Sequence, residues 1–100
     1  MTLRDDASFK RSQFTSFLED NKIQTRNYFG GNILLQPAYK NIYWKDKAHF
    51  LYGGSHMAKE IFPVATKVTT DTFFLGTSPV ITTEQLNYVN DIVKKFFKNL

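Results

Sequence analysis

Apolar residues recur at helical spacing in two stretches of this chain and alternate with polar ones in two others. Phe14, Phe17 and Leu18 stand at i, i+3 and i+4 with polar residues between them, predicting a helix from Ser8 or Lys10 to Asn21, a suitable stop. The clearest helix comes last: Leu86, Val89, Ile92, Val93, Phe96, Phe97 and Leu100 form one apolar stripe. Thr82 and Gln85 have the spacing of a capping box ahead of it, and Ile81 and Leu86 that of a hydrophobic staple. Period-two alternation marks Ile23 to Phe29 as a strand, with Ile23, Thr25, Asn27 and Phe29 on one side and Gln24, Arg26 and Tyr28 on the other. Thr72 to Thr77 is strand-like by its β-branched and aromatic content. Leu3 and Arg4 read as the end of a further strand, before the acidic pair Asp5-Asp6. A domain seldom opens in mid-strand, so Met1 reads as a cut into a longer chain rather than a native start.

Between these elements the pattern breaks at Gly30-Gly31. Asn32 can then cap a brief apolar turn that Pro37 closes, which makes a strand–turn–helix corner. Tyr39 to Gly54 has the least periodicity and reads as an aromatic loop, and Met57 to Asp71 as helical in part, with Pro63 near a helix start. The predicted order is strand, helix, strand, short helix, loop, helix, strand, helix. That is an α+β fold in which a small, mostly antiparallel sheet of about three strands is covered by helices. Residues 1–100 show no repeat, low-complexity run or linker and read as a single small domain, marginal in stability by size alone.

Composition narrows the function classes. Ten phenylalanines and 16% aromatic residues imply either a tightly packed core or a core plus an exposed contact face. The absence of cysteine excludes disulfides, thiolate metal sites, iron–sulfur ligation and a cysteine nucleophile within this chain. No apolar run approaches the ~20 residues of a membrane helix, and no hydrophobic signal core opens the chain, so a cytoplasmic location is expected. The net charge of +4 raises nucleic acid as a partner. However, Lys94, Lys95 and Lys98 sit where cations complement a helix dipole, and the other basic residues are scattered.

Candidate chemistry is sparse. His49 and His56 have no carboxylate at ligand spacing, and Asp5-Asp6 and Glu19-Asp20 are adjacent pairs rather than convergent ones, so neither a metal site nor a catalytic residue is predicted. Gly30-Gly31 is a turn signal, with none of the glycine-rich phosphate motifs around it. Trp44, Tyr39, Tyr43 and Phe50, interleaved with Lys40, Lys45 and Lys47, suit a subunit or domain interface better than plain core, and either better than base stacking. Arg26 can pair bidentately with a phosphate or carboxylate, or make an ordinary surface salt bridge. Asn32 and Gln36, at i and i+4 of the short helix, can offer carboxamides to a polar ligand or merely cap the turn.

Longer motifs sharpen this picture. They are T-x-R-x-D-A from Thr2, L-E-x-N-K-I from Leu18, T-R-x-x-F-x-G-N-x-x-x-Q-P-A-Y from Thr25, and T-F-x-x-G from Thr72 followed by P-x-x-T-x-E. Together they resemble the C-terminal domain of the DegT–DnrJ–StrS sugar aminotransferase family, within it the lipopolysaccharide branch of CDP-4-keto-6-deoxy-glucose 3-dehydratases. The resemblance covers Thr2 to Tyr39 and Phe62 to Val89 and is weakest over Asn41 to Ile61. It implies the fold type I pyridoxal-phosphate architecture, in which a large domain holds the cofactor and a small C-terminal domain closes over the site of a homodimer. On this resemblance the chain is that small domain, without the large cofactor-binding domain and without catalytic residues or cofactor of its own. In the dehydratase branch the cofactor is pyridoxamine phosphate, a large-domain histidine replaces the Schiff-base lysine, and the C3 hydroxyl of a nucleotide sugar is expelled. Some members also carry an iron–sulfur cluster. Arg26, Phe29, Asn32 and Gln36 match corner positions that the resemblance places near the substrate. Two departures from the family pattern are Lys10, where Ser or Thr is usual before the first helix, and Val80-Ile81 in place of Gly-Leu. The contrasting reading is a free-standing basic aromatic module for single-stranded nucleic acid.

Overall fold

The structure, a computed structural model, describes residues 1–40 and 58–100. Its elements are helix α1 (Arg11–Asp20), strand β1 (Thr25–Asn27), a 3₁₀ turn (Ile33–Leu35), helices α2 (Pro37–Lys40), α3 (Ala58–Ile61) and α4 (Pro63–Asp71), strand β2 (Phe73–Leu75) and helix α5 (Thr83–Lys98). They fall into two compact units: Met1–Asn27 with Phe73–Leu100, and Tyr28–Thr72.

In the first unit, α1 begins without a side-chain oxygen at its N-cap, because Lys10 has none. Gln13 makes up half of the deficit, its Oε1 accepting from the Lys10 amide at 2.7 Å. The C-terminus of α1 is closed more completely. The Ile23 amide donates to the Leu18 carbonyl and the Lys22 amide to that of Glu19, both at 2.9 Å. This is a Schellman closure with Lys22 in the left-handed position at φ 62°. It turns Ile23 inward beside Leu18 and starts the strand.

β1 and β2 pair antiparallel, with Thr25 opposite Leu75, Arg26 opposite Phe74 and Asn27 opposite Phe73. The sheet has two strands among the described residues, not about three. At the amino end, Met1 and Phe73 exchange one reciprocal pair: the Met1 amino group donates to the Phe73 carbonyl at 2.8 Å, and the Phe73 amide to the Met1 carbonyl at 2.9 Å. The backbone then closes a turn from Arg4 to Ala7, so the expected strand end at Leu3-Arg4 adds no ladder.

The buried core is Phe14, Leu18, Ile23, Phe73 and Ile92, with Phe9, Phe17, Val89, Val93 and Phe96 packed around it. Phenylalanine dominates it for a geometric reason. Ring edges meet ring faces, as in Phe14–Phe73 (5.7 Å, 86°) and Phe9–Phe96 (5.0 Å, 77°), which adds roughly 0.5–1.5 kcal/mol per pair to the area buried. α5 carries the predicted capping box: Thr82 Oγ1 accepts from the Gln85 amide at 3.2 Å, and Gln85 Oε1 accepts from the Thr82 amide at 2.9 Å. Only the middle of its stripe is covered. Ile92 is buried, whereas Leu86, Phe97 and Leu100 are more than half exposed.

In the second unit, Pro37 does end the 3₁₀ turn, because a following proline holds Gln36 extended (φ −70°, ψ 144°). It also opens α2, where its fixed φ suits a first helical position. Asn32 and Gln36 therefore flank the turn as its two caps instead of standing one helical turn apart on it. Pro63 opens α4 as expected, and Lys67 and Asp71 pair along it at 3.0 Å. The aromatic loop expected after Tyr39 lies outside the described residues, with Trp44, Tyr43, Phe50, Lys45, Lys47, His49 and His56; the backbone of Tyr39 and Lys40 belongs to α2.

Candidate functional site

The corner at Phe29-Gly30-Gly31-Asn32 is where the second unit presents most chemistry. Gly30 adopts φ 92°, a left-handed conformation that turns the chain out of its extended course. Gly31 then passes so close to α4 that a Cβ there would stand 2.8 Å from the Thr69 Cα and amide nitrogen. Only glycine permits that approach.

Asn32 is buried, 3% exposed, and wholly engaged. Its Oδ1 caps the 3₁₀ turn, accepting from the Leu34 amide at 3.2 Å. Its Nδ2 donates to the Ala58 carbonyl at 2.9 Å and to Thr66 Oγ1 at 3.1 Å, and its amide donates to Thr69 Oγ1 at 2.6 Å. A buried carboxamide satisfied in this way anchors backbone. Of the two roles open to Asn32 in the sequence, the cap is the one its hydrogen bonds fill.

Phe29 is the opposite case. It is 87% exposed, and its ring borders an apolar groove of about 740 Å³ also lined by Tyr28, Ile61, Phe62, Val64 and Val68. The size is that of a small-molecule cleft. Gln36, exposed at the end of the 3₁₀ turn, keeps its carboxamide at the surface.

Arg26 belongs to the first unit. It is exposed on β1 and borders a small polar groove of about 400 Å³ with Thr15, Ser16, Glu19 and Asp20. It forms no ion pair among the described residues. Its neighbour Glu19 instead accepts from the Thr25 amide and, at 2.9 Å, from Thr25 Oγ1. The amide bond first, then the hydroxyl bond, hold the Glu19 carboxyl below the usual glutamate range; desolvation opposes them slightly and the Arg26 charge adds to them. Among the described residues the expected alternative of an intrachain salt bridge at Arg26 is thus not made, and its charge acts on Glu19 only at longer range.

A larger groove of about 1130 Å³ in the first unit was not anticipated. Phe74, Leu75, Ile81, Leu86, Tyr88 and Val89 line it. The signal for it was the staple pair: Ile81 and Leu86 face the same side, but nothing in the spacing says that they frame an open groove. Tyr88 ties its rim to the end of α1, its hydroxyl donating to the Asn21 carbonyl at 3.0 Å.

Among the described residues, neither unit assembles a nucleophile with a base. Among the described residues no group of three His, Cys, Asp or Glu side chains converges, and Asp6 is an exposed partner of Arg4 at 3.0 Å. Hydroxyls, carboxamides, the Arg26 guanidinium and aromatic rings are what the described residues of these grooves offer to orient a polar ligand.

Comparison with known proteins bears on the same region. Residues 1–94 match the model of the DegT/DnrJ/EryC1/StrS aminotransferase family. The chain is 30% identical over 96 residues to a dTDP-4-dehydro-2,6-dideoxy-D-glucose 3-dehydratase of Saccharopolyspora spinosa, covering 96% of this chain and 18% of that protein. It is 28% identical over 97 residues to the lipopolysaccharide biosynthesis protein RfbH of Salmonella typhimurium, covering 97% of this chain and 20% of that protein. The chain therefore spans about a fifth of the length of the curated relatives it matches.

Proposed function

Because this chain belongs to the DegT/DnrJ/EryC1/StrS aminotransferase family, we propose that it is the C-terminal small domain of a longer, cytoplasmic nucleotide-sugar enzyme. The parent reaction is a 3-dehydration or an amino transfer in lipopolysaccharide deoxysugar biosynthesis, dependent on pyridoxal or pyridoxamine phosphate. The observation that carries this reading is the family match along residues 1–94, which includes the whole glycine corner. Named relatives at 30% and 28% identity, a sugar 3-dehydratase and a lipopolysaccharide biosynthesis protein, support the substrate class. A missing large domain and a second subunit are the proposed partners.

The described residues do not fit the cofactor. A Schiff-base lysine works from a desolvated pocket, and the buried polar residues here are Asn32 and Thr72, with no lysine among them. No step is therefore assigned to the cofactor within this chain. Its role in the proposed enzyme is to receive and orient the nucleotide sugar. Phe29 presents its ring beside the groove, Gly30 leaves open space where a side chain would stand, and Gln36 offers a surface carboxamide. Asn32 holds the corner in place. Arg26, on its own unit, supplies an exposed guanidinium of the kind that recognises phosphate.

Phe29→Ala in the full-length enzyme tests this directly. Losing one exposed aromatic contact should raise KM for the nucleotide sugar about tenfold and leave kcat nearly unchanged. Unaltered steady-state kinetics would remove the corner from the substrate side.

A further inference from the structure

Two threonines that no motif singled out sit beneath the corner. Thr66 and Thr69 lie at i and i+3 of α4, on one face of the helix. Each hydroxyl has a single proton, and each donates it back into the helix: Thr66 to the Phe62 carbonyl and Thr69 to that of Ala65, both at 2.9 Å. The back-bonds leave both oxygens facing outward as acceptors. Asn32 meets both. Its amide reaches Thr69 Oγ1 at 2.6 Å and its Nδ2 reaches Thr66 Oγ1 at 3.1 Å. Gly31, one residue earlier, lies against the Thr69 backbone at a distance that excludes a side chain.

We propose that Thr66 and Thr69 are positioning residues, a two-point lock on α4 that fixes the path of Gly30-Gly31-Asn32 and thereby the presentation of Phe29 to the nucleotide sugar. The inference rests on the substrate reading above. It adds that substrate affinity is set by residues that do not touch the substrate. The chemistry favours such an arrangement. Gly30 and Gly31 give the corner more backbone freedom than any other pair of residues would, and an unanchored corner would have to be ordered at each binding event. Two hydroxyl acceptors of fixed direction remove that freedom beforehand. Threonine suits the task better than serine in one respect, because its β-branch restricts χ1 and so the direction of the hydroxyl.

Thr69→Val keeps the shape and the branch and deletes the acceptor; Thr69→Ser keeps the acceptor. Two readouts separate the parts of the argument. In the chain itself, hydrogen exchange at the Asn32 amide should quicken about tenfold in Thr69→Val, as loss of one hydrogen bond implies, and return toward the parent rate in Thr69→Ser. In the full-length enzyme, KM for the nucleotide sugar should rise in Thr69→Val with kcat little changed, and Thr69→Ser should restore it. Should Thr69→Val fail to fold, as its circular dichroism would reveal, Thr66→Val offers the milder removal of the Nδ2 acceptor alone. Unchanged exchange at the Asn32 backbone amide in folded Thr69→Val, or at its side-chain amide in folded Thr66→Val, overturns the lock. Quickened exchange with unchanged KM leaves the lock standing as a structural feature and overturns its role toward substrate, whereas Phe29→Ala tests the substrate reading independently.

Discussion

Lys22 carries a conformation that its side chain does not favour. At φ 62° it closes the Schellman turn after α1, a position where glycine is the usual occupant. A left-handed residue with a β-carbon costs about 1–2 kcal/mol, and glycine returns part of that through its freer unfolded chain, about 0.5–1 kcal/mol. Lys22→Gly should therefore stabilise the fold by about 0.5–1 kcal/mol, seen as a higher denaturant midpoint with an unchanged m-value. A lower midpoint would mean that the exposed lysine contributes contacts that outweigh its backbone strain. Asn21 beside it was legible as a stop: its Nδ2 donates to the Phe17 carbonyl at 2.8 Å. The left-handed residue itself was hidden, because lysine bears no local signal for that conformation.

At the scale of elements, what decides the corner is its packing on α4, and the two glycines there answer to different constraints. Gly30 has open space around its missing side chain and a left-handed φ, so Gly30→Ala should cost about 1–2 kcal/mol of backbone strain. Gly31 faces helix backbone, which cannot swing aside as a side-chain tip can. Gly31→Ala should cost more, about 2–3 kcal/mol, through overpacking. Thermal unfolding of the two variants side by side checks the order, and a larger loss at Gly30 would contradict the close approach to Thr69. The sequence shows a glycine pair as a break; it does not show which of the pair needs φ and which needs room. The helices behaved more simply. The capping box of α5 formed between the two residues expected, because both partners lie within one turn and no tertiary contact is needed to bring them together.

For the whole molecule, acid is an informative perturbation. Glu19 on α1 clamps Thr25 on β1 through a carboxylate held below its usual range, chiefly by the Thr25 amide. A depressed carboxyl contributes stability that is complete above its unfolded pKa and disappears as pH falls through the folded one. Glu19→Gln should thus lower the unfolding midpoint at neutral pH, and the gap to the parent chain should close below the ordinary glutamate pKa. A gap of constant size down to pH ~3 would mean that the clamp owes nothing to charge.

What the sequence determined by itself was whatever depends on near neighbours: the periodicity of α1 and α5, the stop of α1 and the capping box of α5, the turn at Gly30-Gly31, the α+β class and, through its motifs, the family. These follow from side chains acting on backbone within a few residues. Tertiary structure alone decided the rest. It made Asn32 a buried anchor and Phe29 an exposed ring, though both belong to one motif, because burial depends on what α4 brings beneath the corner. Among the described residues it left Arg26 without an ion pair while giving Glu19 to Thr25. It also limited the amino-terminal pairing to a single exchange between Met1 and Phe73, since the length of a ladder is set by a partner strand 72 residues away and not by the propensity of either segment.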